Sequence, residues 1–77
     1  MKLMLKIGKV DMDGYLGRDN HPAETDSGLT GEIINMTIIP EDFLLDEIVE
    51  TKVFVVKLDD RYVEIVEHEV EKIWTEE

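Results

Sequence analysis

The sequence TKVFVVKLDDRYVEIV, residues 51–66, decides the fold class of this chain. Residues 51–58 are rich in β-branched side chains, which favour a pleated strand. Asp59 and Asp60 follow as turn formers, and residues 61–66 then alternate apolar and polar side chains with the period of a half-buried strand. The sequence therefore predicts an antiparallel β-hairpin, and the neighbouring segments are interpreted around it.

Two further strands are predicted on the N-terminal side of this hairpin. Residues 2–7 alternate apolar and polar side chains, and the phase changes after Gly8, where a bulge or bend is expected. Leu29–Ile39 is the second strand, and Pro40 is predicted to end it. Both faces of this strand are expected to be at least partly buried, with Ile34, Met36 and Ile38 on one face and Ile33, Asn35, Thr37 and Ile39 on the other.

The remaining segments are less regular. Residues 13–28 are dense in glycine, asparagine and aspartate and predict a long loop, a feature that is often functional in a small domain. Residues 41–50 fit either a short helix or an apolar-anchored loop, because acidic residues precede apolar side chains at near-helical spacing. Residues 67–74 are expected to form a single helical turn followed by a last short strand.

The composition limits the size and class of the protein. A chain of 77 residues forms one domain, and its 43% apolar content is enough for a packed core. Cysteine is absent, which removes disulfides and thiol chemistry and fits a cytoplasmic protein. Lysines interrupt the N-terminal apolar residues, so no signal peptide is predicted. The longest apolar run, Val53–Val56, is far too short to cross a membrane.

Together these elements predict a mainly β fold: a small SH3-like barrel or a strongly bent antiparallel sheet of four to five strands, with at most one short helix. Residues 28–33 (GLTGEI) resemble the Gly-x-x-Gly-x-hydrophobic pattern of KOW segments in translation- and transcription-associated proteins. The long loop after the first strand and residues 68–73 (HEVEKI) near the end also resemble small SH3-like barrels. This resemblance implies the fold but not RNA binding, because acids replace the basic residues of those nucleic-acid binders.

Charge is the strongest indication of function. Residues 19–50 contain nine carboxylates and no lysine or arginine, and the formal net charge of the chain is −11. Such a field repels nucleic acid and anionic membranes and favours basic partners. We therefore predict a non-enzymatic module that binds a basic protein surface. The most specific version of this prediction is that the protein is a nucleic-acid mimic. No direct nucleic-acid or membrane partner is predicted. The predicted contact residues form two clusters, on either side of strand two: Asp19, Glu24, Asp26, Glu41, Asp42, Asp46 and Glu47.

Two other functions remain open. The long loop is an alternative site for a small ligand or a metal ion, with Tyr15, Arg18, Asp19 and His21 as its residues. Their spacing matches no recognised metal-ligand pattern, so no metal or cofactor is assigned. Apolar residues on both faces of strand two would also fit a structural homodimer, and the sequence leaves open whether the chain is a monomer or a homodimer.

Two short motifs resemble catalytic signatures but lack their context. Residues 11–14 (DMDG) resemble the DxDG motif of haloacid-dehalogenase-type phosphatases, whose parallel α/β sheet does not fit in 77 residues. Residues 68–72 (HEVEK) begin like the zinc-protease HExxH motif but end in lysine. The alternation of Glu67, Glu69 and Glu71 instead predicts an exposed, charged edge. The chain is therefore predicted not to be an enzyme.

Overall fold

The computed structural model describes residues 1–12, 19–42 and 48–77 and places five antiparallel strands in one sheet. The strands are β1 (Lys2–Ile7), β2 (Thr30–Asp42), β3 (Ile48–Lys57), β4 (Tyr62–Val66) and β5 (Val70–Glu76). The helical elements in this part of the chain are two 3-10 turns, the Asp26 turn (Glu24–Asp26) and the Glu69 turn (Glu67–Glu69). The prediction of a mainly β, antiparallel fold is confirmed.

The sheet is strongly bent. Its order is β4-β3-β2-β1-β5, so a flat sheet would hold its two edge strands about 19 Å apart, at about 4.8 Å per strand. The three residues of the Glu69 turn nevertheless join β4 to β5, and the four steps from Val66 to Val70 span at most about 14 Å. The sheet must therefore coil until its edges approach each other. Within the described residues β4 and β5 do not pair, so the sheet stays open and is not a closed barrel.

The core lies inside this curve. Leu5 and Ile7 of β1, Val56 of β3, and Val63 and Ile65 of β4 are buried almost completely. The β3–β4 register places Val56 opposite Val63, which puts both side chains on the same face of the sheet. Burying an aliphatic side chain of this size contributes roughly 1.5–3 kcal/mol. The hairpin predicted from residues 51–66 therefore supplies much of the core, and β1 packs against it.

The second strand is longer than predicted. The prediction that Pro40 ends it is wrong, because Pro40 pairs with Glu50 and β2 continues to Asp42. β1 pairs with β2 only over Thr30–Glu32. Near Pro40, the one described strand that pairs with β2 is therefore β3. Proline is tolerated on such an open edge because no ladder hydrogen bond is required on that side.

The segment 41–50 also differs from its prediction. Residues 41–42 end β2 and residues 48–50 begin β3, so the expected helix or anchored loop is wrong at both ends of the segment. Residues 43–47 lie outside the described part of the chain. The two long strands form a two-stranded arm beyond the core, which fits the largest dimension of the molecule, 43 Å.

The start of β2 explains the two glycines of the GLTGEI segment. Gly28 has a φ of +89°, a left-handed conformation that glycine adopts without steric cost. A Cβ on Gly31 would lie 2.4 Å from the carbonyl oxygen of Lys57 and 2.6 Å from Cγ1 of Val56. The first glycine therefore permits the turn into β2, and the second permits the close approach of β2 to β3.

The apolar side chains of β2 are unevenly buried. The β2–β3 register shifts between Ile33 and Asn35, which indicates a bulge at Ile34. Ile34, Met36 and Ile38 are exposed by 49%, 48% and 46%, whereas Ile33 packs against the core. Asn35 and Thr37 are also exposed. Among the described side chains of β2, the expected partial burial of both faces is therefore limited to the part of the strand near the core.

Candidate interaction surface

The predicted acidic residues fall at opposite ends of β2. Asp19 and Glu24 are exposed in the segment that precedes β2, whereas the backbone of Glu41 and Asp42 forms the far end of this strand. A strand of 13 residues is roughly 40 Å long, so the two clusters are well separated along it. The other two predicted contact residues, Asp46 and Glu47, lie outside the described residues. Among the described residues, the structure therefore does not bring Asp19 and Glu24 near the backbone of Glu41 and Asp42.

Asp26 is a structural residue and not a surface contact, which corrects the prediction made for it. Its side chain is 2% exposed, and both carboxylate oxygens accept hydrogen bonds from the guanidinium of Arg61. One of these bonds, from Nη1 to Oδ2, measures 2.8 Å. The same oxygen accepts a bond of 2.8 Å from the backbone N–H of Ala23. Burial of a carboxylate is tolerated when a cation and hydrogen-bond donors satisfy it.

The surroundings of Asp26 also set its protonation. The hydrogen bond from Arg61 lowers the pKa of the Asp26 carboxyl below its ordinary value of 3.8, against the opposing effect of burial, and the Ala23 N–H adds to the lowering. The hydrogen bond to Asp26 in turn raises the pKa of Arg61. Both groups therefore stay charged at neutral pH, and the pair links the Asp26 turn to the connection between β3 and β4.

Further hydrogen bonds fix the segment before β2 to the sheet. The backbone oxygen of Asn20 accepts from the N–H of Glu64 at 2.9 Å, and the N–H of Asn20 donates to Oε1 of Glu64 at 3.1 Å. The N–H of Gly28 donates to the carbonyl of Ile7 at 2.8 Å. Residues 19–29 therefore pack against both β4 and the end of β1, although the sequence predicts an irregular loop over most of this segment.

This arrangement places several carboxylates at one end of the sheet. We call residues 19–29 and 58–61 the loop end, because the Asp26–Arg61 ion pair holds these two segments together. The Asn20–Glu64 bonds fix the first segment to the adjoining strand β4. The loop end contains five carboxylates and one guanidinium. Four of these carboxylates are on exposed residues, and Arg61 is already engaged by the fifth. The exposed acidic residues are Asp19, Glu24, Asp59 and Asp60.

Glu69 occupies a position that the sequence does not indicate. The prediction of an exposed edge is wrong for this residue, because Glu69 is fully buried while Glu67 and Glu71 are exposed. Its Oε2 accepts from the N–H of Asp11 at 2.8 Å, and its Oε1 accepts from the N–H of Val66 at 3.1 Å. The carboxylate thus joins the end of β4, an edge strand, to the segment that follows the inner strand β1.

The residues of the alternative ligand site are only partly described. Asp19 is exposed, and Nδ1 of the half-buried His21 lies 2.8 Å from the carbonyl oxygen of Pro22. Tyr15 and Arg18 lie outside the described residues. The described residues contain no group of three or more histidine, aspartate or glutamate side chains placed to hold a metal ion.

A second histidine lies beside a shallow surface depression. Nε2 of His68 is 3.2 Å from Oδ2 of Asp11, and both side chains are about half exposed, at 59% and 43%. Lys9, Met12 and Glu24 line the same depression. An exposed pair of this kind contributes little to stability. Asp11, the first residue of the DMDG motif, therefore contacts both His68 and Glu69 of the HEVEK motif.

Sequence reasoning missed two residues that organise this region, Arg61 and Glu69. Both turns carry an acid at their third position, Asp26 or Glu69, which is the acidic half of a capping box. That spacing was a usable signal in the sequence. Arg61 gave no comparable signal, because its partner lies 35 residues away along the chain.

Comparison with family models, curated proteins and solved structures gives no match for this chain. In the part of the chain that the structure describes, no helix is long and apolar enough to span a membrane.

Proposed function

We propose that this protein is a non-enzymatic interaction module and that its loop end binds a basic surface of another protein. The observation that carries the proposal is the cluster of exposed carboxylates on two segments that the Asp26–Arg61 pair holds together. A pre-organised array loses little conformational entropy when a partner binds. Such an array accelerates association with a basic surface and selects against acidic ones.

The proposal is restricted to the loop end. A nucleic-acid mimic that used both predicted clusters would have to present them on one surface, and the length of β2 separates them. The loop end alone suits a compact group of lysine and arginine side chains on a protein. We include the cytoplasmic location in the proposal, since the composition contains no cysteine.

We also propose a relationship to SH3-like folds. Its support is that the features behind the resemblance keep their expected positions: a long connection follows β1, the GLTGEI segment enters β2, and HEVEKI leads into the last strand. Gly28 and Gly31 each have a steric reason to be glycine. Four of the exposed positions at the loop end are acidic and one is basic, and this excess of acids supports a protein partner over RNA.

A pull-down with two matched variants tests the proposal. The loop-end variant carries Asp19→Asn, Glu24→Gln and Asp59→Asn, and the control carries Glu67→Gln, Glu71→Gln and Glu77→Gln, with the same three-charge change. All six residues are exposed, so both variants should fold. We expect the wild type and the control to capture the same basic protein at low salt, and the loop-end variant to capture much less of it.

Salt dependence provides the second readout. Capture should weaken steeply as ionic strength rises, because screening shortens the range of the carboxylate field. Capture that is absent at low salt, indifferent to salt, or reduced equally in both variants would contradict the proposal. Equal reduction would mean that net charge, and not the loop end, attracts the partner.

The ligand site at Asp19 and His21 and the homodimer through strand two stay predictions. Tyr15 and Arg18 lie outside the described residues, and so do the side chains of residues 39–42 and 48–50 that flank the exposed apolar part of β2.

A further inference from the structure

The two edges of the sheet differ in how they are covered. At the β4 edge, the backbone of Asn20 bonds to Glu64, so the segment before β2 occupies this strand's outer side. At the other edge, β5 is the last strand in the order, and within the described residues no strand pairs with its outer side. β5 is also two residues longer than β4, and most of its residues are exposed. An edge of this kind is a template for a further strand.

Hydrogen bonds show which backbone groups of β5 face outward. The N–H of Ile7 donates to the carbonyl of Leu29, and the N–H of Gly8 donates to the carbonyl of Glu69. The backbone N–H and C=O groups of odd-numbered β1 residues therefore point towards β2, and those of even-numbered residues point towards β5. Met4 is opposite Trp74, so the backbone groups of Trp74 point towards β1. Those of the flanking residues, Ile73 and Thr75, therefore point away from the sheet and are oriented for another strand.

We propose that β5 pairs in antiparallel fashion with β5 of a second copy of this chain, about a twofold axis at Trp74. In this register Ile73 of each copy exchanges backbone hydrogen bonds with Thr75 of the other. The two Trp74 side chains meet at a position without direct hydrogen bonds, where opposing Cα atoms approach most closely. The dimer would then contain one continuous sheet of ten strands.

The charge of Lys72 favours a second copy in this register. Lys72 lies opposite Lys6 across the β1–β5 pair, which is an unfavourable like-charge contact. The twofold register places Glu76 of the other copy on the free side of Lys72, and the symmetry provides two such pairs. Glu71 would lie opposite Glu77 of the other copy, and Lys6 already neutralises Glu71 through an ion pair of 2.9 Å. Lys72 also lies over the Trp74 ring, 5.5 Å from its centroid. The dimer would therefore extend a lysine–tryptophan contact that the monomer already contains.

The local charge at this edge also permits self-association. The chain as a whole is strongly acidic, but three of its eight basic residues, Lys2, Lys6 and Lys72, lie on β1 and β5. Lys6 forms an ion pair of 2.9 Å with Glu71, and Lys2 lies opposite Glu76. Two copies can therefore approach here with less repulsion than at the loop end. This surface is separate from the one in the proposed function, so either can fail without the other.

Cysteine cross-linking tests the position of the axis, because the natural chain contains no cysteine. Trp74→Cys places two thiols opposite each other at the axis, within reach of a disulfide. In the matched control, Lys72→Cys, the same register separates the two thiols by roughly 13 Å. We expect Trp74→Cys to form a disulfide-linked dimer under mild oxidation and the control to form little. Equal cross-linking, or none in either variant, would overturn the proposal.

A charge swap tests the register without removing the tryptophan. Lys72→Glu or Glu76→Lys alone places like charges opposite each other, and we expect each to weaken dimerisation at least about tenfold in sedimentation equilibrium. The double variant restores opposite charges and should recover the wild-type dissociation constant to within about threefold. A single strand pair is a small interface, so the measurement extends to NMR concentrations. A wild-type monomer at those concentrations, or no recovery in the double variant, would overturn the proposal.

Discussion

The Asp26 turn and the Glu69 turn share a local design but differ in what satisfies the buried carboxylate. In each turn the acid at the third position accepts a hydrogen bond from the N–H of the residue before the turn, Ala23 or Val66. In a capping box, the side chain before the turn normally accepts a hydrogen bond from the N–H of the third residue. Alanine and valine have no side-chain oxygen, so only the bond to the acidic side chain forms here. Asp26 is then paired with Arg61, whereas Glu69 reaches the backbone of Asp11.

This difference shows two ways in which one small fold uses a buried acid as a joint. The Asp26 joint links the segment before β2 to the β3–β4 connection through a charge pair with a partly exposed partner, because the Arg61 side chain is 42% exposed. The Glu69 joint links β4 to the segment after β1 through a buried side chain that accepts backbone N–H groups. We therefore expect the Glu69 joint to contribute more to stability. We also expect the Asp26 joint to depend on pH, because Arg61 lowers the pKa of Asp26.

The largest effect is expected for Glu69→Ala. It leaves the N–H groups of Asp11 and Val66 without their carboxylate acceptor and creates a cavity, which together should lower the free energy of unfolding by about 2–4 kcal/mol. Glu69→Gln keeps an acceptor oxygen and should lose less. Urea denaturation measures both, with the exposed Glu67→Ala as the control. A loss for Glu69→Ala no larger than for Glu67→Ala would show that the Glu69 joint does not stabilise the fold.

Asp26→Asn should have the next largest effect. It preserves the shape of the side chain but removes the charge that pairs with Arg61, and hydrogen bonds to charged groups contribute about 1.5–3 kcal/mol. A double-mutant cycle with Arg61→Met isolates the pair, since either single change removes the same interaction. We expect the double variant to be less destabilised than the sum of the two single variants. Simple additivity would indicate that the two side chains are not coupled in solution.

The pH dependence of the Asp26 joint is a smaller effect with a defined sign. The pKa of Asp26 is lowered in the folded state, so its contribution is fully present above about pH 4 and is lost as the pH falls through the folded-state pKa. The stability difference between wild type and Asp26→Asn should therefore be largest near neutral pH and shrink at about pH 3. Urea titrations at the two pH values measure it. A difference that stays constant would mean that Arg61 does not lower the pKa of Asp26.

The smallest effects are expected at the first positions of the two turns. Glu24→Gln and Glu67→Gln change exposed side chains, and each should alter the free energy of unfolding by less than about 0.5 kcal/mol. Thermal denaturation of both variants beside the Asp26 and Glu69 variants measures this contrast. A larger loss at Glu24 or Glu67 would show that the acidic turns stabilise the fold as a whole and not through their third residues.

Local periodicity accounts for the parts of the fold that the sequence predicts well. β1 has its predicted bounds, and β4 lies within the predicted hairpin, because their apolar side chains alternate with the period of a half-buried strand. The prediction fails at Pro40, where the number of neighbouring strands decides whether proline is tolerated. It fails again for residues 41–42 and 48–50, where pairing across the sheet outweighs near-helical spacing within the segment.

The candidate site likewise contains residues whose exposure the sequence predicts and residues whose burial it does not. Asp19 and Glu24 are exposed as the charge pattern predicts, since isolated carboxylates in a polar segment stay in water. Asp26 and Glu69 have the same side-chain chemistry and are buried, because each adds a donor from a distant segment of the chain to the local N–H before its turn. Charge counting treats these four residues alike, and only the contacts separate the structural acids from those available to a partner.

The sequence by itself determined a mainly β fold and a strongly negative net charge, because residue period and net charge are properties of neighbouring residues and of composition. Only the tertiary structure decided how far β2 extends, that the sheet bends until β4 and β5 are joined by three residues, and which carboxylates are buried. The physical reason is that burial and ion pairing depend on residues far apart in the chain: Asp26 and Arg61 are 35 positions apart, and Asp11 and Glu69 are 58 apart.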